Sequence, residues 1–175
     1  MSIALLSVAD KSKLADFAEG LESLGWEFIA SGGTAKLLHE NKIDVKEVAD
    51  YTGYPEILGG RVTTLHPAVH GGILSRENEA DAADLEKISA QPIDLIAVNL
   101  YPFRETIARP NVTLEEAIEK IDIGGVALLR AAAKNFQRVT VIVDTDDYDI
   151  VLQELREHGE TSLETRRRLA VKAFA

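Results

Sequence analysis

Cysteine is absent from all 175 residues, and its absence excludes a disulfide framework, a thiolate metal site and a cysteine nucleophile. No run of ~18 apolar residues exists, so no membrane-spanning helix is expected and no membrane partner with it. The opening Met1-Ser2-Ile3-Ala4-Leu5-Leu6-Ser7 lacks the basic region and long apolar stretch of a secretory signal. A cytoplasmic setting is expected from these three absences. Basic residues are also scarce: 19 Lys and Arg face 29 Asp and Glu, a formal charge of −10. That balance argues against a nucleic-acid partner, because such affinity comes from matching phosphates with cations. A small anionic ligand needs only a few cations in one cleft and stays open.

What is present suits a folded enzyme-sized domain. With 46% hydrophobic and 27% charged residues, the chain can bury a sizeable core. Its length fits one compact domain, or one domain plus the start of another. No internal repeat or low-complexity segment interrupts it. The run Ile3 to Val8 reads as a strand covered on both faces. Asp10 is expected to cap a helix carrying Leu14, Phe17, Ala18, Leu21 and Leu24, which ends at Gly25. A second strand over 26–30 runs into Ser31-Gly32-Gly33-Thr34, then a helix over 35–40. Further strands are expected at 93–98 and 139–143, with helices at 81–88, 126–134 and 146–157. Thr113 to Glu116 has the form of a capping box, and Thr161-Ser162-Leu163-Glu164 caps a last helix still running at Ala175. Residues 51–75 show no clear periodicity and are long for a loop, which points to function. Strands alternating with helices predict an α/β fold around a parallel sheet with right-handed crossovers.

The glycine-rich turns fall where such sheets bind ligands, at the carboxyl ends of the strands. Ser31-Gly32-Gly33-Thr34 offers free N–H groups and hydroxyls at a helix start, a cradle for an anion or an ordinary turn. It lacks the GxxxxGK[ST] spacing of a nucleotide P-loop. Lys11 follows the first strand and reaches the same edge, and Arg61 sits among small residues that leave its fork accessible. His66 and His70 lie four apart, but Pro67 stands where a zincin needs glutamate. Loop-stabilising hydrogen bonds explain them better than a metal, and no metal site is expected. Asn99-Leu100-Tyr101-Pro102 ends the third clear strand, as a turn or as part of a site. Asp122 precedes the Gly124-Gly125 helix start, as a cap or as a functional carboxylate. Arg130 and Lys134 share one face of that helix, towards a cleft or towards water.

Seven blocks in order, LLSVADKSKL, ASGGTAKLL, TGYPEILGGRV, TLHPAVHGGIL, VNLYPF, IDIGGVALLRAAAKN and TSLETRRRLAVKAFA, resemble the amino-terminal domain of the bifunctional purine-biosynthesis enzyme. That enzyme joins IMP cyclohydrolase to AICAR transformylase. The resemblance implies a methylglyoxal-synthase-like fold, a three-layer α/β/α arrangement around a central mainly parallel sheet. It implies a cyclohydrolase domain over 1–158, and over 159–175 the start of a helical connection to a transformylase domain absent from this chain. It implies a homodimer, a purine ribonucleotide substrate and no cofactor. The implied reaction is dehydrating ring closure of FAICAR, the 5-formamido ribonucleotide, to IMP. Residue by residue, Lys11, Ser31, Gly33, Thr34, Arg61 and Thr64 match positions around the ribose phosphate. Tyr101, Asp122 and Lys134 match positions near the reacting groups, and Ser7, Asn99, Gly124 and Gly125 complete the implied site. Chemically, Asp122 suits orienting the carboxamide and taking its proton, Lys134 the oxyanion, and Tyr101 a proton relay.

One position departs from the pattern. The family reads G-G-R-V-K-T-L-H-P, and Thr63 stands where the lysine belongs. A hydroxyl cannot replace a cation facing a ligand anion. In an extended segment, Arg61 and Thr63 would project to the same side, so that side carries one cation instead of two. Restoring lysine at 63 is then expected to raise activity, unless the site has compensated elsewhere. The departure also keeps open a binding domain with weak or no turnover. Methylglyoxal synthase activity rests on fold analogy alone.

Overall fold

The computed structural model describes residues 1–100 and 103–175. Five strands form one parallel sheet: β1 (Ile3–Val8), β2 (Glu27–Ala30), β3 (Lys46–Glu47), β4 (Leu95–Asn99) and β5 (Thr140–Ile142), in the order β3-β2-β1-β4-β5. β1 lies at the centre because it is apolar on both faces; Ala4, Leu5 and Leu6 are fully buried. It pairs Leu6 with Ala30 on one side and with Ala97 on the other. The chain steps outwards from β1 to β2 and β3, then returns to lay β4 on the opposite side. That reversal creates a switch point between the carboxyl ends of β1 and β4.

Helices cover both faces, giving the three-layer α/β/α arrangement. α1 (Leu14–Glu22) packs against α9 (Tyr148–His158), where Phe17 and Tyr148 stack with ring centroids 4.1 Å apart. Their approach is close enough that a Cβ on Gly20 would lie 2.8 Å from a methyl of Leu152. α2 (Gly32–Glu40) follows β2, and α3 (Val48–Thr52) follows β3. α8 (Gly124–Lys134) packs on β4 and β5, with α4 (Pro67–Leu74) and α10 (Leu163–Phe174) against it. Leu169 and Ala170 of α10 belong to the main core. α10 is tied down further by Lys172, whose ammonium is 2.7 Å from both Asp144 and Asp147. α5 (Glu79–Lys87), α6 (Phe103–Ile107) and α7 (Leu114–Glu119) fill the connections, and α7 begins with the anticipated Thr113–Glu116 capping box. Among the described residues, no helix is long and apolar enough to cross a membrane.

Several local expectations shift. α1 starts later than Asp10 implies: Lys13 is its N-cap, in a left-handed conformation with φ 59°, while the Asp10 carboxylate accepts from the Ser12 N–H. β3 is two residues long, too short to leave an apolar run. α4 lies inside the stretch without clear periodicity. Its Gly71-Gly72 pair looks like loop punctuation but serves packing, since a Cβ on Gly72 would stand 2.5 Å from the Gln91 carbonyl oxygen.

At the edge of the sheet where β4 begins, Arg138 acts as a clamp. Its guanidinium donates to the carbonyls of Gly72, Ser75 and Ile93 and to the Asp94 carboxylate at 2.7 Å. Asp94 in turn accepts from the Ile3 N–H at the start of β1. Asn135 adds two donations, to Ile73 and Ser75 carbonyls. Together these close the carboxyl end of α4, whose last carbonyls lack helical partners. Burial pulls the Arg138 pKa down and the Asp94 charge opposes it. Arg138→Met strands both the carboxylate and several carbonyls, and is expected to cost about 3–5 kcal/mol. Urea denaturation measures this; a loss below about 1 kcal/mol would show that the clamp is dispensable.

Candidate active site

A cleft of about 840 Å3 opens at the switch point. Ser7, Lys11, Ser31, Gly33 and Thr34 form one bank, from the end of β1 and the start of α2. Arg61, Thr63 and Thr64 form a second, and Asn99, Asp122, Gly124 and Gly125 a third. The amino ends of α2 and α8 therefore both meet the cleft, bringing two positive dipole ends to it.

The first bank combines an uncapped helix start with a cation. Among the described residues no side chain caps α2, and Gly32 takes the left-handed φ of 52° that turns Ser31 into the helix. Lys11 lies over this turn: a Cβ on Gly33 would be 3.4 Å from its Cε and 3.5 Å from its Nζ. The Lys11 ammonium is within 3.4 and 3.5 Å of the Val8 and Ala9 carbonyl oxygens, which hold it beside the positive helix end. Two neighbouring groups have duties inside the fold. The buried Thr34 hydroxyl accepts from the Val8 N–H at 3.1 Å and lies 3.3 Å from the Val8 carbonyl oxygen, joining α2 to β1. Asn99 accepts from the Ala9 and Asp10 N–H groups at 2.7 and 2.8 Å and donates to the Asp10 carbonyl, which sets the loop carrying Lys11. Both shape the cleft through the backbone around it.

The second bank is not an extended segment. A 3-10 turn at Leu58–Gly60 closes on an Ile57–Val62 bridge, and Arg61 adopts helical angles. Its side chain and that of Thr63 accordingly find different partners. Arg61 pairs with Glu119 at 2.9 Å, whereas the Thr63 hydroxyl is within 3.4 Å of a Glu56 carboxylate oxygen. On the third bank Asp122 accepts from the Gly125 N–H at 2.7 Å, so it caps α8 and faces the cleft at once. A Cβ at position 125 would fall 2.5 Å from Asp122 Oδ2 and 2.8 Å from a Leu100 methyl, so any side chain there would displace the carboxylate. Glu56, Glu119 and Lys120 also line the cleft. Single charged residues beside glycine turns carry no sequence signal that separates them from a solvated surface.

Lys134 is not brought to this cleft. It ends α8, ten positions beyond Gly124, a rise of about 15 Å, and it is exposed. Arg130 lies over the Phe174 ring of α10, 5.1 Å from its centroid, so this basic pair does not line the cleft. Tyr101 lies outside the described residues. His66 is the N-cap of α4, its Nδ1 accepting from the Ala68 N–H, with Pro67 in the first turn. His70 has a buried Nε2 without a hydrogen-bond partner among the described residues.

Two expectations follow. Thr34→Val leaves the Val8 N–H without its partner and is expected to destabilise the fold by about 1–3 kcal/mol, with Thr34→Ser milder; thermal or urea unfolding of both variants decides it. Burial pushes the His70 pKa below its ordinary value of about 6.5. The unfolded chain then binds the proton more readily, so stability is full above pH ~6.5 and declines as pH falls from there to the folded pKa. His70→Phe is expected to flatten that decline in unfolding measurements between pH 5 and 7. An unchanged slope would assign the dependence to other groups.

Residues 13–127 match the family model described as MGS-like domain, and residues 132–175 match one described as AICARFT/IMPCHase bienzyme. The bifunctional purine biosynthesis protein PurH of Persephonella marina is 57% identical over 98% of this chain and 33% of its own length. That of Lactobacillus acidophilus is 55% identical over 99% of the chain and 34% of its own. The chain thus spans about one third of these relatives. A solved structure titled "Crystal structure of ForH" superposes with a TM-score of 0.88 at 41% identity, covering 99% of this chain and 91% of that one. With a parallel sheet that reverses at β1 and a glycine-lined cleft at the reversal, the chain belongs to the MGS-like domain family.

Proposed function

We propose that this domain is an IMP cyclohydrolase, which binds a purine ribonucleotide in the cleft between α2 and α8 and closes FAICAR to IMP. The observation that carries the reading is the juxtaposition of Lys11 with the uncapped start of α2, a site for the ribose phosphate, in a cleft that also holds Asp122. The printed names of the relatives, purine biosynthesis proteins, support the substrate class.

Ring closure is intramolecular, so orientation and proton handling are the enzyme's tasks. The phosphate anchors one end of the ligand at Lys11, Ser31 and Gly33. Arg61, Thr63 and Thr64 border the path between the phosphate bank and the α8 bank. Asp122, held by the Gly125 N–H, keeps one carboxylate oxygen for the attacking carboxamide nitrogen, whose proton it accepts as the new C–N bond forms. The Gly124 N–H and the positive end of α8 face the side where the formyl oxygen gains charge; that oxygen leaves as water after taking the carboxamide proton back from Asp122 and the proton of the formamido N–H, as its C–O bond breaks and the ring C=N bond forms. Lys134 and Tyr101 enter this reading through the family resemblance alone. The position of Lys134 on α8 means that any part it plays is exerted from outside this cleft. Homodimer assembly, a cytoplasmic setting and a transformylase unit following the helical connection that starts at 159 belong to the same proposal. Leu169 and Ala170 of α10 pack in the core of the present domain.

The test is conversion of FAICAR to IMP followed by ultraviolet absorbance. The parent is expected to exceed the uncatalysed rate. Asp122→Asn, which can still accept from Gly125 N–H, is expected to lower turnover about 100-fold or more with little loss of stability. Near-parental turnover in Lys134→Ala would remove that residue from the reading. The specific support for a second reading, binding without turnover, is Thr63: IMP raising the melting temperature with no ring closure at high enzyme concentration would establish it.

A further inference from the structure

The mouth of the cleft has two lips, and both carry apolar side chains that the fold leaves uncovered. On one side, residues 54–62 form a strap that is bonded mainly to itself. Ile57 and Val62 exchange backbone hydrogen bonds at 3.2 and 3.4 Å, and the Gly60 N–H donates to the Ile57 carbonyl. The Thr63 hydroxyl reaches back to Glu56 and to the Gly60 carbonyl. Among the described residues, the polar tie from this strap to the far lip is the exposed Arg61–Glu119 pair. On that far lip, α7 buries none of its residues. Leu58 of the strap and Ile118 and Ile121 opposite all line the cleft, yet they are 70%, 45% and 53% exposed.

Leu58 is the residue that does not fit its place. Its φ is 56°, the first of three successive positive values, with Gly59 at 65° and Gly60 at 91°. The left-handed region is open to glycine and disfavoured for leucine, whose Cβ crowds the backbone there. An exposed leucine is ordinary by itself. Here the backbone cost and the lost burial fall on one side chain at the mouth of a cleft, a pairing that marks a segment used in another state. The strap also starts at a free joint: Gly53 ends α3 at φ 72°, and a Cβ on it would meet nothing within 4 Å.

We infer that residues 54–62 are a lid, which closes over a bound nucleotide by bringing Leu58 down onto the ligand and against Ile118 and Ile121. The self-bonded strap moves as one piece about Gly53. Arg61 is its latch. An exposed ion pair holds weakly, so Glu119 steadies the open strap, and an anionic ligand draws Arg61 away from it. Closure shuts bulk water out of the cleft and strengthens the electrostatic contacts made by Asp122 and the start of α8. The ligand is the nucleotide of the proposed function, and the inference rests on that reading.

The experiment uses the 175-residue chain with Leu58→Asn, Leu58→Met, Ile118→Ser and the Leu58→Asn/Ile118→Ser pair. Asparagine accepts the left-handed conformation, so Leu58→Asn should keep or raise the melting temperature of the free protein. It should nonetheless weaken IMP binding about ten-fold or more in calorimetry, because the apolar tip of the lid is gone. Leu58→Met should keep most of the affinity. Ile118→Ser should weaken binding too, and the pair should lose less than the two single losses combined, since the two side chains meet only in the closed state. Trypsin nicking after Arg61 reports closure directly. Saturating IMP should protect that bond in the parent and protect it much less in Leu58→Asn. Parental affinity in Leu58→Asn would overturn the lid, as would equal protection at saturation, strictly additive losses, or a fall in melting temperature that accompanies the weaker binding. A parent that binds IMP without converting FAICAR removes turnover from the proposed function and leaves affinity and nicking to decide the lid. A parent that binds no IMP overturns both.

Discussion

β1 has no open edge: β2 pairs along one side and β4 along the other, both parallel to it, and both of its faces are buried. The rest of the molecule follows from that position. A strand so enclosed is apolar except at Ser7, which meets the cleft, and the chain must leave it to one side and come back to the other. The loops leaving β1 and β4 then diverge to opposite faces, which opens a crevice at their carboxyl ends. Thr34 and Asn99 line that crevice by bonding the backbone at the end of β1, from α2 on one side and from β4 on the other. Their polar groups satisfy N–H donors at the end of β1, so the site begins where the sheet ladder runs out.

The two ends of the sheet are treated differently. Where β4 begins, Arg138 joins the end of α4 to the segment leading into β4 around one guanidinium, with donors matched to carbonyls and one carboxylate. A planar, five-donor group suits this task better than a lysine would. At the other end, charges line an open cleft and pair loosely, as in the exposed Arg61–Glu119 contact. Exposed pairs of this kind contribute little to stability. A ligand anion can therefore take Arg61 from Glu119 at small cost, which the Arg138 clamp would not permit.

The overall charge of −10 and the anion-binding reading fit together at this scale. The proposed reading relies on local devices instead of long-range attraction: the uncapped amino end of α2, the ammonium of Lys11 above it and the start of α8. Dipole ends and single cations act within a turn of the helix, where screening by the acidic surface matters least.

Much of this was legible in the order of residues, because the relevant signals are local. Apolar runs marked β1, β4 and β5, and Thr113 with Glu116 marked the start of α7 through side chains three residues apart. The glycine pairs at 32–33 and 124–125 marked helix starts at the sheet's ligand-bearing edge, and every substrate-binding residue expected from the family pattern lies on the cleft wall. The misses share another cause. β3 is held by β2 instead of by its own composition, and Gly71-Gly72 is explained by a neighbour some twenty residues away in sequence. Asp10 had the chemistry of a helix cap, but its nearer partner, the Ser12 N–H, took the carboxylate. By itself the sequence determined the α/β alternation, the buried strands and the glycine turns at the helix starts, since each depends on contacts within a few residues. Only the tertiary structure decided that Thr34 and Asn99 serve the backbone, that Arg61 and Thr63 part company, and that Lys134 stands off from the cleft while Lys120 lines it. Those outcomes depend on which distant groups meet, and chain spacing carries no record of that.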